Sequence, residues 1–169
     1  DSRLMELAKI YHPQKIVPAT VEFTDIAGLV RGASKGEGLG NKFLGQIRQT
    51  ATIMHVVRCF DDDNVTHVEG SVDPIRDAET IETELLLADL ETLEKRYRKT
   101  EKAARSGEKQ AKKELDLIDR LLQHCNEGHR ARTLIIHDAD EKKILRSLHL
   151  LSSKPILYIA NVDETEIMQ

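Results

Sequence analysis

DIAGLVRGASKGEGLG, residues 25–40, sets five glycines, at 28, 32, 36, 38 and 40, among sixteen positions. Glycine at that density lets backbone come close to a ligand and take conformations closed to other residues. Two phosphate cradles can be tested against the spacing. A P-loop needs a glycine, four residues, then Gly-Lys-Ser/Thr. Counting from Gly32 puts Glu37 where the second glycine belongs, and counting from Gly36 puts Asn41 there. The dinucleotide fingerprint G-x-G-x-x-G fails too, because Gly36, Gly38 and Gly40 run G-x-G-x-G. The stretch is neither cradle.

A different nucleotide element fits. Upstream, TVEFT (20–24) alternates apolar and polar residues as a strand does, and it ends at Asp25. Asp25 and Gly28 then form D-x-x-G. In nucleotide switches an Asp at this place holds Mg²⁺, and the glycine offers its amide to the γ-phosphate. Further glycines would let the loop change conformation when that phosphate leaves. An acidic strand end followed by a glycine turn would leave the same residues, so D-x-x-G needs a second sign.

Downstream the periodicity sets out a series of elements. Asn41–Thr50 reads as a helix, and IMHVVRCF (53–60) as a buried parallel strand, being mostly apolar and β-branched. Residues 61–73 are a polar loop. From Asp77 the period changes: Leu86, Leu90, Leu93, Tyr97, Thr100 and Ala104 are spaced four and three apart, a heptad seam. Ser106-Gly107 breaks it, and Ala111, Leu115, Ile118 and Leu122 resume it, which predicts an antiparallel helical hairpin. Residues 141–151 form another helix and PILYIA (155–160) another buried strand. A short amphipathic helix, residues 2–10, stops near Pro13. The predicted fold class is α/β, a mainly parallel sheet with flanking helices and an inserted helical hairpin. Core segments 1–76 and 129–169 enclose the hairpin insertion, 77–128.

The second sign follows the last strand. Asn161-Val162-Asp163-Glu164 occupies the strand end where guanine-specific switches carry Asn-Lys-x-Asp. There the Asp accepts two hydrogen bonds from guanine and the Lys stem packs on the base. Val162 stands in place of that Lys and Glu164 in place of that Asp, which predicts a base site not tuned to guanine. Taken alone, NVDE is also an ordinary turn or cap. D-x-x-G after one strand and N-x-x-E after a later one, in that order, are the marks of a nucleotide-switch core.

Composition narrows the classes. The 169 residues are 40% hydrophobic, 32% charged and 4% aromatic, with no Trp and a net charge of -4. That suits a soluble domain with a charged surface, and it argues against a base-stacking face. Any nucleic-acid contact must come from a local basic patch. Cys59 and Cys125 match no metal or disulfide spacing and read as reduced thiols of a cytoplasmic protein. No apolar run approaches the ~20 residues of a membrane span, so no membrane contact is expected. The chain opens on Asp rather than Met, and both ends look cut, so the sequence reads as part of a longer protein.

DIAGLVRGASKGEGLGNKFL, HVVRCF, TELLLADLETLEKR and KPILYIANVDE closely resemble the Obg-like ATPases, the YchF group of translation-factor-related P-loop NTPases. The resemblance runs over nearly the whole chain. It implies a P-loop NTPase G-domain in which Asp25–Gly28 is the Walker B and switch II motif. Asn161, Val162 and Glu164 would be an altered base-recognition motif, with ATP preferred over GTP and Mg²⁺ as cofactor. Leu29 stands where Ras-like enzymes carry a water-orienting Gln, so hydrolysis needs another group. The resemblance makes His67, in NVTHVEG, a candidate, while His55 on the strand reads as a packed residue. Family members begin with a P-loop and switch I and continue into a TGS domain. None of these occurs in the chain, which alone should bind nucleotide weakly and be inactive.

The hairpin is charged asymmetrically. Residues 77–94 carry acids and no bases, whereas nine Lys or Arg fall between Lys95 and Lys113. A basic tip could contact phosphates. Since the resemblance links relatives to ribosomes, Lys99, Lys102, Arg105 and Lys109 are expected to touch ribosomal RNA or an acidic protein face. The expected state is a monomer. Two alternatives stand beside an ATPase: a GTPase, and a nucleotide-independent module that binds protein or RNA through the hairpin.

Overall fold

The computed structural model describes residues 2–26, 39–62, 64–67 and 70–164. Helix α1 (Ser2–Tyr11) ends where His12 turns to φ +44 ahead of Pro13. None of its residues is buried. Helix α2 (Leu39–Gln49) leads into strand β1 (Ile53–Arg58), and helix α3 (Pro74–Arg105) turns into helix α4 (Lys109–Asn126). A 3-10 turn (Ala131–Thr133), helix α5 (Ala139–Ser147) and strand β2 (Ile156–Asn161) follow. The strands pair in parallel, with Ile53 opposite Ile156 and Arg58 opposite Asn161.

Local chemistry explains why α3 runs for 32 residues. The Asp73 side chain accepts a hydrogen bond from the Arg76 amide, Pro74 opens the first turn and Asp77 adds negative charge there. At ~1.5 Å per residue the helix is about 48 Å long. It stops at Ser106-Gly107, where Gly107 sits at φ +93. The return helix α4 is tied to α5 by charge. Lys113 meets Asp138 at 2.8 Å and Arg120 meets Glu141 at 2.7 Å. Asp138 also caps α5 by accepting from the Asp140 and Glu141 amides. The Lys113 ammonium, followed by those amides, holds the Asp138 carboxyl down at about 2.

Two apolar clusters meet across α3. On one side Leu86 and Leu93 pack with Leu117, Ile118, Leu121 and Cys125 of α4 and with Ile144 and Leu148. On the other, Leu85 and Ala88 pack with Leu44, Ile47 and Leu151, and Ile53 and Ile156 lie against that group. The heptad seam is therefore too narrow. Leu117 and Leu121 are fully buried, although the 4-3 spacing passes over them. Helix α4 packs on α5 and the 131–136 segment as well as on α3, so it needs a wider apolar face.

Three further expectations are corrected. Residues 20–24 form no strand: Val21 and Phe23 are each 72% exposed, and among the described residues no strand pairs with them. Alternation needs a partner before it becomes a strand. The strands are also not buried on both faces. Helices cover the Ile53–Val57 side, while Met54, Val56 and Leu157 stay exposed. Helix α5 ends at Ser147 rather than 151, because His149 turns to φ +50 and Leu150 and Leu151 swing into the core.

Burial separates the two thiols. Cys125 is 1% exposed, and its thiol is pushed up to about 11 by burial and then by the negative charge of Asp89. Cys59 is only half-buried. Iodoacetamide should therefore label Cys59 of the folded chain roughly tenfold faster or more, with the difference disappearing in denaturant. Equal native labelling, read by peptide mass spectrometry, would contradict this packing.

Candidate functional site

In open α/β sheets ligands gather at the carboxyl ends of the strands. At that end β2 delivers Asn161, whose carbonyl accepts from the Cys59 amide at 2.8 Å. Asn161 and Glu164 are exposed and Val162 is half-buried, so the polar pair faces solvent while the Val anchors the turn. Glu164 thus stands at the sheet edge with its carboxylate accessible.

The loop after β1 is shaped by Arg58. Its guanidinium donates from Nε to the Phe60 carbonyl at 2.9 Å, from Nη1 to Val65 at 2.9 Å and from Nη2 to Asp62 at 3.3 Å. It also lies over the Phe60 ring, 4.7 Å from the centroid. Asp62 accepts from the Asn64 amide at 2.8 Å, an Asx turn. The loop then presents His67. Its Nε2 lies 2.8 Å from Oδ2 of Asp77, in the first turn of α3, and the two side chains are 16% and 22% exposed. Gly70, at φ +78, donates its amide to the His67 carbonyl and closes the turn.

The described residues thus bring His67, Asn161, Val162 and Glu164 to the carboxyl end of the sheet. Asp25 is exposed and makes no hydrogen bond or ion pair among the described residues. Its neighbour Ile26 packs against the cluster that Ile53 and Ile156, the first residues of the strands, also meet. Gly28 and Leu29 lie outside the described residues. Among the described residues no cluster of three or more His, Cys, Asp or Glu could hold a metal. One accessible carboxylate suits Mg²⁺, which keeps several waters and takes further oxygens from substrate phosphates. Asp25 fits that ion as a single ligand.

A second polar cluster escaped the sequence reading. Glu82, 4% exposed, is held by Arg132 at 2.6 Å and by close contacts with Arg130 and the Tyr158 hydroxyl. Burial is the largest single influence on its carboxyl and pushes it up. Hydrogen bonds from Tyr158 and Arg132, with the charges of both arginines, outweigh it and hold the group below its ordinary value. Tyr158 is pushed up in return, first by burial and then by Glu82. A cleft of about 320 Å³ opens beside them, lined by Val57, Ile75, Ala78 and Ala160. The ring of His55 stacks on Tyr158 at 5.7 Å, and burial lowers its pKa. That agrees with His55 as a packed residue. Nothing in the sequence marks Glu82 among the acids of α3, since its partners lie 48, 50 and 76 positions on.

Parallel strands flanked by helices, with a long helical hairpin between them, form an α/β core of the P-loop NTPase class. The chain belongs to the YchF family. It is 52% identical to the ribosome-binding ATPase YchF of Bacillus subtilis (strain 168) over 167 residues, 99% of this chain and 45% of that protein. It is 51% identical to the ribosome-binding ATPase YchF of Escherichia coli O157:H7 over 164 residues, 97% of this chain and 45% of that protein. The structure of the Schizosaccharomyces pombe YchF GTPase matches with a TM-score of 0.79 and 39% identity, covering 99% of this chain and 46% of that one. No protein-family model matches the chain. The chain spans about half the length of the relatives it matches.

Proposed function

We propose that the chain is the central part of an ATP-hydrolysing switch that works with the ribosome in the cytoplasm. The observation that carries this reading is 52% identity across 99% of the chain to a protein named a ribosome-binding ATPase. The exposed Asn161 and Glu164 at the sheet's carboxyl end support it, since a base-reading pair belongs there. Among the described residues no helix is long and apolar enough to cross a membrane.

In this reading Asp25 holds Mg²⁺ through water, and the ion would neutralise charge developing on the phosphates. Gly28 offers its amide to the γ-phosphate, and Asn161, Val162 and Glu164 receive the base. His67 orients the attacking water in place of the Gln that Leu29 lacks. The water oxygen bonds to the γ-phosphorus as the bond to the β–γ bridging oxygen breaks. ADP leaves with that electron pair, and the water's proton passes to the phosphate product. Lys99, Lys102, Arg105 and Lys109 on the hairpin carry the ribosomal RNA contact.

A second reading is favoured by one observation: the Schizosaccharomyces pombe structure is named a GTPase. Guanine recognition rests on a carboxylate and a Lys stem, and Val162 cannot supply the stem. In a chain extended to the length of its relatives, kcat/KM should favour ATP over GTP about tenfold, the effect of one good polar discrimination. Turnover should depend on Mg²⁺ and on Asp25. Equal or better use of GTP would replace the ATPase with a GTPase, and absence of any turnover would remove both.

A further inference from the structure

We infer that α3 is a lever linking the hairpin tip to strand β2, with Asp89 as its pivot and Glu82, through Tyr158, as its short-arm contact. The inference rests on the switch reading given above, in which β2 ends at the base-reading residues and the tip meets the ribosome. Its grounds are geometric. Glu82 and Asp89 stand about two turns apart on α3 and so share one face of the helix. Asp89 accepts from the Leu151 and Ser152 amides, each at 2.7 Å, just before β2 begins. Glu82, 4% exposed, accepts from the Tyr158 hydroxyl within β2 and from Arg132 at 2.6 Å, with Arg130 in close contact. Arg130 and Arg132 stand in the turn that follows α4, so both legs of the hairpin meet at this carboxylate. Tyr158 is confined between Glu82 and the His55 ring of β1, 5.7 Å away, so a shift of the strand takes the carboxylate with it.

The two ties hold different things. Asp89 fixes α3 to the turn before the strand, and Glu82 fixes it to the strand itself. Along the helix axis they lie about 10 Å apart, and Arg105 at the tip lies about 24 Å beyond Asp89. A shift of about 1 Å at Tyr158 therefore swings the tip by about 2 Å the other way. The hairpin carries such a swing as one body, because Leu86 and Leu93 pack with Leu117 and Leu121, and Arg96 meets Glu114 at 2.5 Å. The short arm also has room among the described residues. The cleft of about 320 Å³ lies between Pro74, Ile75 and Ala78 of its first turns and Val57, Ile159 and Ala160 of the strands. A buried carboxylate with charged donors suits such a joint, since its bonds fix direction as well as distance. Tyr158 stands three positions before Asn161. A nucleotide that reseats the strand end thus moves the tip, and a partner that pulls the tip moves the strand end.

The test uses a chain extended to the length of its relatives and ribosomes from the same source. Ribosome binding is measured beside a non-hydrolysable Mg-ATP analogue and beside Mg-ADP. In wild type the two ribosome affinities should differ about tenfold, and ribosomes should change the preference for analogue over ADP by the same factor. Tyr158→Phe removes only the hydroxyl that reaches Glu82 and leaves the arginines paired with it. It should bring both factors down together, to about twofold or less, while nucleotide binding without ribosomes stays within about twofold of wild type. A change that merely loosened the fold would not lower the two factors equally. Full coupling in Tyr158→Phe overturns the lever. So does an equal loss of ribosome affinity with either nucleotide, since the cluster would then shape the hairpin without relaying anything. A wild type that binds ribosomes equally with both nucleotides overturns the switch reading instead, and the inference falls with it.

Discussion

Asp89→Ala is expected to cost the fold about 3 kcal/mol, because it strips two buried amides of their acceptor at once. Asp89 lies on α3 with 0% exposure and accepts from the Leu151 and Ser152 amides, each at 2.7 Å. Leu151 and Ser152 are themselves buried and sit just before β2, so no water replaces the carboxylate. The bond pair is what pins the return chain against the middle of α3 and sets where β2 begins. Burial holds this carboxyl above its ordinary value, against the opposing hydrogen bonds of Ser152 and Leu151 and the charge of Arg48. For a raised carboxyl the sign of the linkage is fixed. Its contribution is complete below the unfolded value of about 3.9 and is lost as pH rises through the folded value. Asp89→Asn does not titrate and keeps one acceptor, so it should cost less than the Ala change. Its deficit against wild type should narrow from about pH 4 toward neutral. Urea unfolding of the three chains at both pH values measures this. An Ala variant within 0.5 kcal/mol of wild type, the usual range for surface changes, would show that the pinning is not energetic.

Asp89 also shows what could be read from the sequence and what could not. In TELLLADLETLEKR it is one acid among several, between Ala88 and Leu90 and one position off the 4-3 seam, where a charge reads as solvated. Its meaning lies 62 and 63 positions away, in amides that carry no sequence signature. The same holds for Glu82 and for Asp77, whose roles come from partners that only the fold brings near. By contrast, the hairpin, its break at Ser106-Gly107 and the parallel strands were legible, because each rests on local rules: 4-3 spacing, a positive-φ glycine and β-branched runs. The failures share one cause. TVEFT was read as a strand and IMHVVR as buried on both faces, but pairing and coverage depend on neighbours, not on the segment. Of the candidate site, Asn161, Val162, Glu164 and His67 fell at one end of the sheet, since strand order decides which ends coincide. Asp25 is exposed and makes no hydrogen bond or ion pair among the described residues, and Gly28 lies outside them.

The largest effect is expected at the hairpin tip. Changing Lys99, Lys102, Arg105 and Lys109 to Glu should lower affinity for ribosomes roughly a thousandfold. It should also reduce the slope of log affinity against log salt by about 3, at ~0.7–0.9 per phosphate contact. The choice of residues follows from how the cations are engaged. Arg96 is bound to Glu114 at 2.5 Å and Lys113 to Asp138 and Asp140, so these hold the hairpin and α5 together. Lys99, Lys102 and Lys109 are exposed and make no ion pair among the described residues, which leaves their charge for a partner. Arg105 shares its charge with Glu101 at 2.8 Å, an exposed i,i+4 pair whose net worth is small, so it can be released at little cost. None of the four supports the core, so helicity and unfolding should stay near wild type. Reversal of Lys142, Lys143 and Arg146, exposed on α5, beside a tip variant limited to Lys99, Lys102 and Lys109, controls for total charge. If the tip variant pelleted with ribosomes as wild type does, or no worse than the α5 control, the hairpin would be a solvated coiled coil and the contact would lie elsewhere. A steep loss confined to the tip, with the salt slope flattened, would place phosphate recognition about 40 Å along α3 from the Asp77–His67 pair.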